Sequence, residues 1–219
     1  MTTQPILAFD CATSGASIAL MHRGDIATRT IGQTAQAAEL VPAIDGLLRA
    51  AGLAYAELGG IVTTVGPGSF TGVRIGLATV HGLVLAHATP LKTLSTLEAM
   101  AWAIAMRAEA PGEFIISLRA GKGEIYAQRF QLDRAQEKTL RPIAIGEIAL
   151  HPETRAEWDA PCFGNQLAPD DANYIAGPDA ATLCTIAHHL PTTSLADALP
   201  LYIRPPDALP PAPLSWLAN

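Results

Sequence analysis

The chain has 219 residues, 20 acidic against 14 basic for a net charge of −6, and is 49% hydrophobic but only 16% charged. That length accommodates two lobes with cores of their own, while the acidic balance, with lysine only at Lys92, Lys122 and Lys138, excludes a surface that grips phosphate backbones by counterion release. Cys11, Cys162 and Cys184 lack CxxC spacing, which excludes a disulfide framework and a zinc knuckle and fits a reducing cytosol.

MTTQPILAFDC has no basic-then-apolar leader, and the most apolar window, 73–86, is broken by Arg74 and His81, so neither a signal peptide nor a membrane span is expected. ILAFD (Ile6 to Asp10) reads as a buried strand, ASIALM (Ala16 to Met21) as a second and DIATRTI (Asp25 to Ile31) as a third, the last two joined through His22-Arg23-Gly24; together they form an antiparallel meander. From Gln36 to Ala51 the apolar residues Leu40, Val41, Ile44, Leu47 and Leu48 share one face of a helix, in which Pro42 falls in the first turn or kinks it. Gly60 to Val65 is a fourth strand, and a second helix runs from Phe70 to about His87, with Pro90 beyond.

A second set begins at Ser95, where Ser95 and Glu98 form a capping-box signature before STLEAMAWAIAM. EFIISL (Glu113 to Leu118), EIYAQRF (Glu124 to Phe130) and RPIAI (Arg141 to Ile145) read as strands, followed by a helix near Ala180 to Leu190. The tail PLYIRPPDALPPAP is too rich in proline to continue a helix and is expected to pack as an extended strap. The order βββαβα predicts a ribonuclease H-like lobe over 1–94 and a smaller C-terminal lobe over 95–219.

Between the fourth strand and the second helix stands GPGSFTG, Gly66 to Gly72. A P-loop needs G-x-x-x-x-G-K-[ST], but Thr71 occupies the second glycine position and no lysine follows. The dinucleotide fingerprint fails as well, because its third glycine arrives one residue late, at Gly72. What remains is a turn in which Gly66 and Gly68 permit unusual backbone angles and Ser69 caps the helix starting at Phe70.

ILAFDCATSGASIAL, VGPGSFTGVRIGLATVHGLVLA, GEIY (Gly123 to Tyr126) and PLYIRPPDA together resemble the TsaB (YeaZ) family along the whole chain. The resemblance implies an α/β fold of two ribonuclease H-like lobes, that of the actin/Hsp70/sugar-kinase (ASKHA) superfamily. It also implies a non-catalytic scaffold, without a cofactor of its own, for the catalytic paralogue TsaD and the ATPase TsaE, in making the threonylcarbamoyl modification on adenosine in tRNA. tRNA would be met only through that complex.

Superfamily members that hold ATP carry Asp-x-Gly-[Thr/Ser] after the first strand; this chain reads Asp10-Cys11-Ala12-Thr13, with a side chain at the glycine position. Asp10 is a candidate for hydrated Mg²⁺ or, as the plainer reading, the cap of the following turn. Asp10, Thr13, Gly66, Gly68, Ser69, Thr71 and Gly72 are thus read as a degenerate nucleotide loop. Relatives of this resemblance place an acid where Arg119 stands, which removes support for a metal at that position. His81 and His87 are six apart on a helix rather than four, and His188 and His189, being adjacent, are expected to point apart. No Ser/His/Asp order supports a peptidase.

On the second helix Val73, Leu77, Val80 and Val84 share one face, while Ile75, Ala78, Gly82 and Ala86 share roughly the opposite one. A surface helix needs a single apolar face for its own sheet, so the second is covered either by the smaller lobe or by another subunit. The interface reading joins Ile75, Ala78, Gly82 and Ala86 to Leu40, Val41, Ile44 and Leu48 of the preceding helix. In the family these two helices meet the equivalent pair of TsaD or of a second copy. Arg74, unfavourable at the positive end of a helix, hints at a specific partner. The rival from another class is an active ASKHA-type small-molecule kinase or ATPase, against which stand the missing glycine after Asp10 and the lack of a clear catalytic acid.

Overall fold

Two sheets stacked across shared helices make up the computed structural model, which describes residues 4–133, 140–153 and 158–204. β1 (Ile6–Asp10), β2 (Gly15–His22) and β3 (Asp25–Gly32) form the antiparallel meander. The turn between β2 and β3 carries Arg23 and Gly24 at φ of 54° and 93°, the left-handed pair that a tight hairpin of this hand requires. β4 (Gly60–Thr64) and β5 (Leu91–Leu94) extend the sheet in parallel, giving the order β3-β2-β1-β4-β5.

β6 (Glu113–Gly121), β7 (Glu124–Asp133), β8 (Arg141–Pro152) and β9 (Cys162–Gly164) repeat that pattern one strand short, as β8-β7-β6-β9, with β9 parallel to β6. Both sheets therefore have the ribonuclease H-like order, in a two-lobed α/β fold. β5 and β9 are strands that the sequence reading lacks; each is four residues or fewer, too short to develop a period.

Strand alternation divides the first sheet between two cores. Leu7, Phe9, Ile18, Leu20 and Ile61 face α1 (Gln36–Ala50) and α2 (Phe70–His87). Ile6, Ala8, Ala19 and Val62 face α3 (Thr96–Ala105) and α4 (Ala180–Ile186). α3 is apolar on both sides: Ala99 and Trp102 belong to this core, whereas Leu97, Met100, Ala101 and Ile104 pack on Phe114, Ile116 and Phe130 of the second sheet. α4 follows the second sheet in the chain yet packs against β1, β2 and β3 of the first.

Caps fix where the helices begin. Ser69 Oγ accepts from Gly72 N at 3.2 Å, Ser95 Oγ from Glu98 N at 3.0 Å, and Asp179 from the amides of Ala181 and Thr182. Pro42 lies inside α1, beyond its first turn, and removes one intrahelical donor. His188 and His189 do not point apart: their ring centroids are 3.8 Å from each other, because the chain has left α4 for a 3-10 turn over 187–189. Residues 205–219, which hold most of the proline-rich tail, lie outside the described residues.

Two glycines of α2 differ in kind. A Cβ at Gly72 would overlap the carbonyl of Cys11, whereas one at Gly82 meets nothing within 4 Å. Gly72→Ala is therefore expected to lower stability by about 3 kcal/mol or to prevent folding, and Gly82→Ala to raise it by ~0.5–1 kcal/mol through helix propensity. Urea unfolding of both variants checks this; equal effects would contradict the packing described.

Candidate functional site

GPGSFTG sits against the turn that follows β1. Ser69 N donates to Ala12 O at 2.7 Å, and a Cβ at Gly68 would overlap that same carbonyl. Gly66, at φ 99°, gives its own carbonyl to Thr96 N at the start of α3, at 2.8 Å. At the start of α1, Gln36, 2% exposed, donates through Nε2 to Cys11 O at 3.3 Å. The glycines thus serve close backbone approach within the chain. A phosphate cradle presents open amides; here Ala12 N, Ser69 N and Gly72 N all have protein acceptors.

Asp10 closes the junction. It is 1% exposed and accepts from Thr64 Oγ1, from Ala12 N at 3.2 Å and from Thr13 Oγ1 at 3.2 Å. Burial is the dominant influence and pushes its pKa from 3.8 to about 6, against the lowering effect of those hydrogen bonds. Cys11, beside it, is likewise pushed up by burial, and then by the Asp10 charge, to about 12, which makes it an inert core thiol. Thr71 lies exposed in the first turn of α2. Among the described residues no group of three or more His, Cys, Asp or Glu is placed to hold a metal, and no helix is long and apolar enough to cross a membrane.

The two helices that GPGSFTG and Gln36 launch have unequal outer faces. Leu40, Ile44 and Leu48 were expected at a partner interface, but they are at most 1% exposed and pack in the first core. α1 has a single apolar face, and its own sheet takes it. Val41 is 48% exposed. On α2, Val73, Leu77 and Val80 are buried, Ile75 is half-buried, and Ala78, Gly82 and Ala86 are exposed, so the second lobe does not cover this face. Sequence reasoning missed two exposed large apolar residues of α2: Leu85, 75% exposed, beside the small residues, and Phe70, 57% exposed, in its first turn.

Arg74 is held within the chain. Its Nε donates to Tyr202 OH at 2.9 Å and its guanidinium lies 3.6 Å from the centroid of Phe70. Tyr202 belongs to a strap, residues 198–204, whose Leu201 N donates to Val65 O at 2.8 Å and whose Arg204 donates to Ala120 O and Gly121 O, each at 3.1 Å, and pairs with Glu124. Ala198 O lies 3.0 Å from His81 Nε2. The strap thus ties α2 to the β6–β7 hairpin and walls a cleft of about 780 Å³ between the lobes. Arg119, where an acid was expected, lines this cleft, pairs with Glu153 at 3.4 Å and has its amide capped by Asn165 at 2.7 Å.

Because the folded carboxyl of Asp10 titrates near 6 and the unfolded one near 3.8, its contribution to stability is complete below pH ~4 and lost as pH rises through ~6. Asp10→Asn keeps an acceptor for Thr64 and Ala12 without titrating. The variant should gain on the parent by about 2–3 kcal/mol between pH 4 and pH 7.5 in urea unfolding. A loss of that size at pH 7.5 would mean that the ionised carboxylate is what the junction uses.

Comparison with known proteins agrees with this geometry. Residues 30–181 match the family described as TsaD, tRNA N6-adenosine threonylcarbamoyltransferase. The tRNA threonylcarbamoyladenosine biosynthesis protein TsaB of Escherichia coli is 30% identical over 173 residues, 75% of this chain and 74% of that protein. YeaZ from Pseudomonas aeruginosa superposes with a TM-score of 0.72 at 27% identity, over 91% of this chain and all of that one. A second P. aeruginosa structure, of an uncharacterized protein with similarity to peptidase YeaZ, gives 0.74 at 28% identity, over 92% of this chain and all of that one. With a glycine turn closed on its own backbone and a relative of this identity over most of both chains, the chain belongs to the TsaB family.

Proposed function

We propose that this chain serves tRNA threonylcarbamoyladenosine biosynthesis as a non-catalytic docking subunit. It binds a TsaD-like catalytic subunit through the outer face of α2 and the neighbouring edge of α1, in a machinery that includes a TsaE-like ATPase. The observation that carries the reading is the uncovered stripe of α2 formed by Ala78, Gly82 and Ala86, with the exposed Leu85 at its edge. A second apolar face left open is a liability unless another protein buries it, and small residues let a facing helix approach closely. Val41 and Ile75 complete the proposed contact. A second copy of the chain fits the same face when the partner is absent.

The closed junction supports the non-catalytic part. The amides that would cradle a phosphate are spent on Asp10, Ala12 and Ser69, and Asp10 has three donors of its own and no open side. tRNA enters through the complex, since the chain carries −6 overall.

Gly82→Arg is the direct test. It places a long cation in the middle of the stripe, where the free chain has open space, so the variant should melt cooperatively like the parent. Pull-down of a TsaD-like subunit should fall by more than a hundredfold, since burying an unpaired arginine in an interface costs at least ~3 kcal/mol. Normal assembly would place the interface elsewhere. The isolated chain should also show no salt-sensitive tRNA binding at physiological ionic strength; retention of tRNA at sub-micromolar concentration would contradict the indirect role.

A further inference from the structure

The cleft between the lobes has a chemistry that partner docking does not use. Among the described residues its lining contains Arg74, Arg119 and Arg204 and not one Asp or Glu, in a chain where acids outnumber bases 20 to 14. Two of the arginines are engaged: Arg119 by Glu153 and Gln166 O, Arg204 by Glu124 and two carbonyls. Arg74 has no carboxylate partner among the described residues. It is fixed through Nε by Tyr202 OH and stacked on Phe70, and its two terminal nitrogens have no acceptor among the described residues.

The lining also supplies the hydroxyls of Ser14, Ser69, Tyr126 and Tyr202. Ser69 and Tyr202 already accept, from Gly72 N and Arg74 Nε, so each has its proton to donate. Pro67, Leu118, Leu201 and Ile203 make the remaining wall apolar. Donors without acids suit an oxyanion and do not suit a hydrated cation, which wants carboxylate oxygens. The volume, about 780 Å³, lies within the range of pockets that hold small organic molecules.

We infer that the cleft binds a small organic oxyanion, a phosphate or carboxylate with an apolar body, without a divalent metal. The oxyanion sits on Arg74, Ser69 and Tyr202 at the start of α2, and the body lies against Leu118 and Ile203. This differs from a metal–nucleotide site, whose phosphates would need the amides after β1 that Asp10 and Ala12 have closed. It shares Phe70 with the docking proposal but does not require a partner, because the isolated chain contains the whole cleft.

The test uses the full chain and phenyl phosphate as probe, in EDTA, by calorimetry, with inorganic phosphate as competitor. The expected result is saturable sub-millimolar binding that phosphate displaces and that Mg²⁺ does not strengthen. Arg74→Gln should weaken it by about tenfold or more, the effect of losing a charged hydrogen bond. Ser14→Phe, which fills the cleft from an exposed position on its lining, should abolish binding while leaving the melt cooperative, and serves alone if Arg74→Gln does not fold. Absence of saturation up to ~10 mM, a requirement for Mg²⁺, or parental affinity in Ser14→Phe would overturn the inference.

Discussion

The fold hangs on one backbone contact, the glycine turn 66–72 pressed onto the carbonyls of Cys11 and Ala12. No side chain fits between them at Gly68 or Gly72, so the two segments meet at amide-to-carbonyl distance, with Ser69 N on Ala12 O. From this point the chain radiates. β1 ends there, Gln36 anchors α1 to Cys11 O, Ser69 caps α2, and Gly66 O receives the first amide of α3. Because the turn is shared, the angle at which α2 leaves the sheet is set by a rigid backbone contact rather than by the side chains on the helix itself. That leaves Ala78, Gly82, Leu85 and Ala86 on the outer side of α2 small or apolar and exposed.

Asp10 shows how a superfamily position is reassigned by its neighbours. A carboxylate at the end of a central strand is well placed for a cation only if its oxygens face open space. Here Thr64, Ala12 and Thr13 surround it, and desolvation pushes it toward the neutral form. The residue that would support nucleotide chemistry has become part of the lock that holds GPGSFTG shut. The strap 198–204 reaches the same neighbourhood from the other end of the chain, joining β4, α2 and the β6–β7 hairpin through Leu201, Tyr202 and Arg204. The lobes are thereby tied at the mouth of the cleft.

Much of this was legible in the sequence where a single local rule governs. Ser69 as a cap and Phe70 to His87 as a helix follow from a glycine turn, a serine and an apolar period, and β1 follows from a buried run ending in a turn-forming acid. Leu40, Ile44 and Leu48 were misassigned to a partner because α1 was treated as the companion of α2, although one apolar face on a helix belongs first to its own sheet. The exposure of Phe70 and Leu85 does not follow from the apolar period, because a helix wheel gives no sign of which apolar residues the rest of the fold leaves uncovered. The pairing of Arg74 with Tyr202 spans 128 positions, a separation at which no periodicity or motif connects two residues; Arg74 therefore looked like a residue waiting for a partner when its partner was in the same chain.

The central claim, that a closed glycine turn presents α2 as a docking helix, is tested most directly by hydroxyl-radical footprinting of this chain alone and mixed with a TsaD-like subunit. The account predicts that Val41, Phe70 and Leu85, all well exposed in the free chain, lose reactivity in the mixture while Ile143 and Ile145 on β8 keep theirs. Protection of Ile143 and Ile145 with Phe70 and Leu85 unchanged would contradict it.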